Sequence, residues 1–283
     1  MAKAQIGLQQ ARRLAQMKHS ERLDFIAEGL PVVLKSASGF LSASKALSIH
    51  DREAEVLRNF AEEEAGKALI LLDMARCPPK HIASKVGTMT RWFYDHLARL
   101  IYAKASSWYA TDIGQLQEYV NHERPTHHVD GDYGEYILPN QVIYFRESQL
   151  YADIAAYEDE RPFWNEPKST IGSLLRFDPS AYLAISALNV VGAFSRKGVR
   201  VVADVWGQEQ FNSSKTIADA QRLTKAMLSR IIDLGLPSDS ATDKDVSQIY
   251  RWQMPMYNLD LSPIEVPMDE LQRQRDAIVP DAW

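Results

Sequence analysis

The stretch AEVLRNFAEEEAGKALILLDMARCPP, residues 54–79, carries the clearest pattern in the chain. Its small and apolar residues recur every three or four positions, which is typical of one buried helix face: Ala54, Leu57, Ala61, Ala68, Leu71, Leu72 and Ala75. The pattern stops at Pro78 and Pro79, which cannot continue a helix. It therefore predicts a long helix that begins after Asp51 and ends before these prolines.

The element AEEEAGK, residues 61–67, places charge inside this apolar pattern. Glu64 falls on the apolar face, where a carboxylate is costly unless it is paired. Lys67 follows Glu64 by three positions and Glu63 by four, both within helical pairing distance. Gly66 costs about 1 kcal/mol in a helix interior relative to alanine, so we expect another helix to approach it closely. Two interpretations stay open: a buried ion pair that fixes helix register, or a glutamate beside a catalytic centre.

Two further helical patterns flank this segment. Upstream, apolar residues recur from Leu23 to Leu47, and Pro31 predicts that this helix begins near Gly29 after a shorter preceding helix. Downstream, the pattern from Val86 predicts one helix that reaches about Tyr109. Short loops between such helices favour an antiparallel up-and-down bundle.

The middle of the chain has a different character. Residues 112–166 hold twelve acidic residues against three arginines, a local charge of −9. Residues 122–136 are rich in turn formers and are expected to form a loop. Residues 141–145 and 149–154 are β-prone, which predicts a small β-hairpin.

Helical patterns return in the last third, over residues 181–194, 218–234 and 269–277, with an exposed loop at 238–245. The predicted fold class is mainly α. It consists of a helical bundle with a small β-hairpin insertion and additional C-terminal helices. We divide the chain into a bundle at 1–110, an acidic hairpin segment at 111–180 and a helical C-terminal region at 181–283.

Composition limits the classes of protein to consider. Of the 283 residues, 46% are hydrophobic and 24% charged, and Lys plus Arg (32) against Asp plus Glu (37) gives a net charge of −5. This balance excludes a wholly basic nucleic-acid binder but leaves room for a local basic site. The single cysteine, Cys77, excludes an intramolecular disulfide and a cysteine-based zinc cluster. The first residues carry no apolar leader and no run is long enough to span a bilayer, so we expect a cytoplasmic protein without membrane contact.

Arg91 and His96 form the pair with the clearest chemical potential. Histidine can take a proton from an RNA 2′-hydroxyl or give one to a leaving group, and arginine supplies a fork that fits phosphate oxygens. Positions five apart on one straight helix lie about 140° apart. The two side chains therefore need a helix pair or a dimer interface to converge. The alternative is a partly buried histidine with a structural role.

The segment around this pair is basic. Residues 80–104 hold five basic residues against Asp95 alone, a net charge of +4, and aromatic residues lie between them. Basic and aromatic side chains together are typical of single-stranded RNA binding, which indicates four candidates: Lys85, Trp92, Arg99 and Lys104. The alternative is an amphipathic helix with a solvated basic edge. A metal site formed by His122, His127 and His128 is conceivable, but their spacing matches no strong template, and we expect neither a metal nor a cofactor.

A family resemblance accompanies these patterns. EGL at residues 28–30, then AEEEAGK at 61–67, and later RESQLYAD at 146–153 resemble the AbiV family of phage abortive-infection proteins over about residues 20–170. The resemblance extends to the HEPN superfamily of helical bundles, many of which are dimeric RNases with an R-x4-6-H motif. It implies that Arg91 and His96 are catalytic, with support from Glu63, Glu64 and Lys67. Trp92 departs from the small polar residue that active HEPN enzymes often carry after the arginine.

The resulting hypothesis is a cytoplasmic antiphage protein that cleaves tRNA or mRNA without metal and blocks translation upon infection. It would act as a homodimer, and a phage protein is a possible activator. The alternative is a non-catalytic protein that inhibits translation or senses a phage protein through protein–protein contacts. Burial of His96 away from any groove would favour that alternative.

Overall fold

The computed structural model describes residues 8–47, 52–131, 134, 136–155, 161–167 and 177–278. Within them the protein is mainly helical, with twelve helices and two small two-stranded sheets. The N-terminal helices are α1 (Leu8–Gln16), α2 (His19–Ala46), α3 (Arg52–Arg76), α4 (Pro79–Tyr94) and α5 (His96–Ala105). The predicted mainly α class is confirmed. The end of α3 before Pro78 agrees with the sequence pattern.

Helices α2 and α3 pack along their lengths and run in opposite directions. The Ser44 hydroxyl, near the end of α2, donates to the carbonyl of Ala54 at the start of α3 at 2.5 Å. Gly29, in the first half of α2, meets the side chain of Leu71 near the end of α3. The pairing of late with early residues fits the antiparallel arrangement expected from the short connection.

The predicted start of a helix at Gly29 is wrong, because α2 continues through Pro31. An interior proline costs about 3 kcal/mol, since one backbone hydrogen bond is lost. Pro31 lies on the exposed side of α2, whereas Leu30 and Ala37 are fully buried. Packing of that apolar face outweighs the local preference of proline for a first turn.

The single helix predicted from Val86 to about Tyr109 is also wrong. The chain breaks at Asp95, whose extended backbone separates α4 from α5. The Asp95 carboxylate accepts a hydrogen bond from the Ala98 amide at 2.8 Å and caps α5. Arg91 and His96 therefore lie on different helices.

The middle of the chain corrects the predicted hairpin over residues 141–154. Helix α6 (Ile113–Glu123) precedes an antiparallel pair of β1 (His127–Asp130) with β2 (Tyr136–Pro139). Residues 141–150 then form a helix, α7 (Gln141–Leu150), because the Asn140 side chain caps it by accepting from the Ile143 amide at 3.1 Å. A second antiparallel pair follows, β3 (Asp153–Ala155) with β4 (Phe163–Asn165).

The C-terminal third packs onto the bundle and shares its core. Its helices are α8 (Ser180–Val190), α9 (Arg196–Trp206), α10 (Ile217–Asp233), α11 (Asp243–Tyr250) and α12 (Met268–Ile278). One connected apolar core includes residues from α1 to the segment around Leu261. The predicted helices at 218–234 and 269–277 are confirmed. None of the described helices combines the length and the apolar composition that crossing a membrane requires.

A fully buried ion pair joins the C-terminal segment to α3. The Arg76 guanidinium binds the Asp73 carboxylate through Nε at 2.7 Å and also donates to the Gln253 carbonyl at 2.9 Å. The Asp73 carboxylate accepts from the Tyr102 hydroxyl at 3.0 Å and the Met256 amide at 2.7 Å. Burial raises the pKa of Asp73 and lowers that of Arg76, and their mutual attraction opposes both shifts. We call Asp73, Arg76 and these partners the sealed pair.

Candidate active site

Glu63 is the centre of a cluster of charged side chains on α3. Its side chain is only 4% exposed, and Oε2 lies 2.8 Å from Nδ1 of His96 and 3.5 Å from the Arg99 guanidinium. Its other oxygen, Oε1, accepts from Nε of Arg146. A buried carboxylate needs such partners, because an unpaired charge is costly away from water. We call these four residues the Glu63 cluster.

Gly66 explains how α5 comes so close to α3. A Cβ atom at this position would lie 2.3 Å from the carbonyl oxygen of Arg99, well inside van der Waals contact. The close approach expected at Gly66 is thus confirmed. Because Gly66 lies one turn after Glu63, the contact brings His96 and Arg99 onto the Glu63 carboxylate.

Arg146 reaches the cluster because α7 docks on α3 through buried amides. Gln149, one turn after Arg146, is almost fully buried. Its side chain accepts from Asn59 Nδ2 at 2.6 Å and donates to Glu55 Oε1 at 3.1 Å. These bonds hold α7 in a fixed register, with the Arg146 guanidinium over Glu63.

His96 combines a fixed ring orientation with access to solvent. Its side chain is 49% exposed, although its partner Glu63 is buried. The contact with the carboxylate assigns the hydrogen to Nδ1 and leaves the lone pair on Nε2. His96 is also the first residue of α5, and backbone amides at a helix N-terminus favour an anion there. The arrangement can hold a proton acceptor next to a phosphate.

A cavity of about 350 Å³ adjoins the cluster. Arg146 lines its wall, as does Glu62, the residue before Glu63. Burial raises the pKa of Glu62, and the positive charges of Arg58 and Lys104 oppose this shift. The remaining lining combines polar and apolar residues: Asn59, Leu100, Lys104, Gln141, Val142 and Phe145.

The two residues predicted to be catalytic occupy different settings. His96 belongs to the Glu63 cluster. Arg91 is exposed near the end of α4, and its guanidinium donates to the Thr88 hydroxyl at 3.1 Å. The contacts of Glu63 within the described residues involve Arg99 and Arg146, so these two arginines hold the carboxylate while Arg91 faces solvent.

Of the supporting residues, Glu63 rather than Glu64 is the buried carboxylate. The predicted pair between Glu64 and Lys67 does form, but the two side chains are 17% and 19% exposed. The Lys67 ammonium also lies 5.6 Å from the centre of the Phe93 ring. The pair therefore lies at the edge of the bundle, and the expectation of a fully buried Glu64 is corrected.

The four predicted RNA-binding residues are spread between core and surface. Trp92 is buried and packs against Tyr102, so its ring offers no face to a base. Arg99 is buried within the cluster and also donates to the Tyr94 carbonyl at 2.6 Å. Lys104 is half-exposed, lines the cavity and pairs with Glu123 at 2.7 Å. Lys85 is half-buried on α4.

Sequence reasoning missed Arg146 and Glu62 as site residues. Arg146 was placed between two predicted strands, and only the helix starting at Asn140 gives it its position. Glu62 was not identified, because a cavity formed by three helices leaves no trace in local spacing. No group of three potential metal ligands occurs among the residues that the structure describes.

No family model, curated protein or solved structure gave a significant match to the chain.

Proposed function

We propose that this protein is a metal-independent endoribonuclease of the HEPN type that acts in antiphage abortive infection. The observation that carries the proposal is the half-exposed His96 ring, oriented through Nδ1 by the buried Glu63 carboxylate at 2.8 Å. A buried orienting carboxylate and an accessible imidazole are what general acid–base catalysis uses. The resemblance of residues 20–170 to AbiV proteins supplies the biological setting.

Cleavage would proceed through the RNA 2′-hydroxyl. Nε2 of His96 accepts the 2′-hydroxyl proton as the 2′-oxygen attacks the adjacent phosphorus. The bond to the 5′-oxygen breaks, and this leaving oxygen takes up a proton from water. The products are a 2′,3′-cyclic phosphate and a 5′-hydroxyl. Glu63 stabilises the imidazolium that forms, as a carboxylate does for a histidine base in other hydrolytic sites.

Arg91 is the arginine best suited to hold the substrate phosphate. Its guanidinium uses a single described side-chain contact, to Thr88, and is exposed. Arg99 and Arg146 are engaged by Glu63 and hold that carboxylate in place. The half-exposed Lys85 and Lys104 lie on the same two helices as Arg91 and His96 and extend the positive surface for RNA.

The proposal includes a homodimer, a cytoplasmic location, tRNA or mRNA as substrate, and activation by a phage protein. Support for self-association comes from an exposed apolar surface on the second hairpin, where Ile154 pairs with Trp164 and the two are 59% and 73% exposed. Light scattering should report about twice the chain mass of 32.1 kDa. A monomer at micromolar concentration would contradict an active site that is formed by residues of two protomers.

The decisive experiment incubates purified protein with total RNA in EDTA. We expect cleavage with 2′,3′-cyclic phosphate ends, and loss of about 10²–10⁴-fold in rate for His96→Ala. His122→Ala is the matched control, because that side chain is 78% exposed and lies outside the Glu63 cluster. Arg91→Lys should also lose activity, since an ammonium cannot reproduce the guanidinium fork.

Protection of cells against phage provides the second readout. Both His96→Ala and Arg91→Lys should lose protection while remaining folded, as judged by circular dichroism. If His96→Ala protects as well as the unmodified protein, the nuclease proposal fails and the non-catalytic alternative replaces it.

A further inference from the structure

The cavity beside the Glu63 cluster shares Arg146 with that cluster. Glu62 and Glu63 are consecutive on α3, and Arg146 both lines the cavity and binds Glu63. A volume of about 350 Å³ falls in the range of small-ligand sites. One wall of the cavity is thus shared with the candidate catalytic cluster.

Glu62 is the charged group of this cavity that lacks a partner. Lys104 is paired with Glu123 and Arg146 with Glu63. Among the residues that the structure describes, none donates a hydrogen bond to the Glu62 carboxylate or forms an ion pair with it. A partly covered carboxylate in this state favours a ligand that brings hydrogen-bond donors. Burial raises the pKa of Glu62, although the charges of Arg58 and Lys104 oppose the shift.

The apolar part of the cavity lining suits a flat apolar body. Leu100 and Val142 are buried there, and the Phe145 ring is 49% exposed. Aromatic rings of this kind stack with nucleobases. Because Phe145 and Glu62 line the same cavity, it offers a flat ring system both an aromatic face and a carboxylate.

We propose that the cavity binds a guanine base of the RNA substrate, with the Glu62 carboxylate accepting hydrogen bonds from guanine N1–H and the N2 amino group. Guanine is the common RNA base that presents two adjacent donors on its Watson–Crick edge. Adenine, cytosine and uracil each present one donor beside an acceptor, and the acceptor would face a carboxylate oxygen. The inference rests on the proposed nuclease function, to which it adds base specificity.

Binding is measured without cleavage, by using 2′-deoxy-substituted oligonucleotides that differ in a single base. We expect the oligonucleotide with one guanine to bind about tenfold or more tightly than those with adenine, cytosine or uracil. Glu62→Gln should remove this preference, because its amide group meets a guanine donor with a donor. Glu118→Gln, on the exposed surface of α6, is the matched control and should keep the preference.

Phe145 provides a second variant that is independent of the carboxylate. Phe145→Ala should weaken binding of all four oligonucleotides, because it removes the aromatic ring on which a base stacks. Phe145→Tyr keeps the ring and should retain binding. Thermal melting shows that each variant is folded before binding is measured. Equal binding of the four bases by the folded unmodified protein would overturn the inference.

Two comparisons distinguish this inference from the proposed nuclease function and from the binding of free nucleotides. Guanine preference in the uncleavable oligonucleotides, together with cuts adjacent to guanine in total RNA, supports both proposals. Cuts without base preference leave the nuclease standing and overturn the guanine site, whereas preference without cleavage does the reverse. Tighter binding of free GMP than of the guanine oligonucleotide would overturn RNA as the source of the base.

Discussion

Helix α3 carries two buried carboxylates ten residues apart, and their partners differ in access to solvent. Glu63 and Asp73 each bind arginine, and each is less than 5% exposed. Around Asp73 every partner is buried, and Trp206 and Trp252 cover the Arg76 guanidinium at 4.9 and 3.8 Å from their ring centres. Around Glu63 one partner, His96, reaches solvent. The same acid–arginine chemistry is therefore closed off from solvent at the C-terminal end of α3 and remains accessible through His96 near its middle.

Removing the carboxylates of Asp73 and Glu63 in turn should distinguish a role in stability from a role in catalysis most clearly. Asp73→Ala leaves Arg76 buried and unpaired, which should lower the free energy of unfolding by about 3–5 kcal/mol. Glu63→Gln keeps the side-chain volume and an acceptor oxygen beside the half-exposed His96, so its loss in stability should be smaller and its loss in RNA cleavage larger. Urea unfolding and cleavage assays of both variants test this. Equal losses of stability in the two variants would contradict the distinction between Asp73 and Glu63.

The close contact at Gly66 should give the next largest effect. Gly66→Ala forces a methyl group against the Arg99 carbonyl and should cost about 1–3 kcal/mol, because the helices must separate. Activity should fall as well, since His96 moves away from Glu63. Gly87→Ala on α4 is the control, as no atom lies within 4 Å of its added Cβ, and it should stabilise the protein slightly. Thermal melts in which both variants behave alike would contradict the proposed role of Gly66.

A smaller effect is expected at Glu64, which follows Glu63 on α3. Glu64→Ala breaks a partly exposed pair with Lys67 and should reduce the free energy of unfolding by about 1 kcal/mol or less. Addition of salt should narrow the difference from the unmodified protein. A loss as large as that of Asp73→Ala in chemical unfolding would place Glu64 with the buried groups instead.

Cys77, directly after Arg76, reports on whether the sealed end stays closed. The thiol is fully buried, and burial raises its pKa to about 12, with a further contribution from Asp73. The thiolate is the reactive form. We therefore expect no reaction with a thiol reagent at pH 8 in the native state and full reaction in denaturant. Rapid labelling of the native protein would show that this end opens readily.

The sequence predicted the elements whose signal is local. The apolar spacing of α3, the prolines after it and the glycine at its centre led to the correct helix, its end and a close helix contact. It failed where distant contacts decide the outcome. Residues 141–145 and 149–154 are β-prone, yet the Asn140 cap and the burial of Gln149 against α3 make residues 141–150 a helix.

The candidate site shows the same division. His96 and Glu63 were both identified as candidates from their residue types, but spacing paired His96 with Arg91 on one helix. The Asp95 cap ends that continuity and turns His96 toward Glu63, 33 positions earlier in the chain. Arg146, 83 positions after Glu63, could not be assigned by any local pattern.

The sealed pair also has a consequence for the order of events during synthesis. A ribosome that has completed α5 has made Asp73, Arg76 and Tyr102, but Gln253 and Met256 lie 177 and 183 positions beyond the residues they bind. Contacts of such long range form late, because closing a large loop is entropically costly. The nascent bundle must therefore wait for almost the whole chain before its charged end is covered.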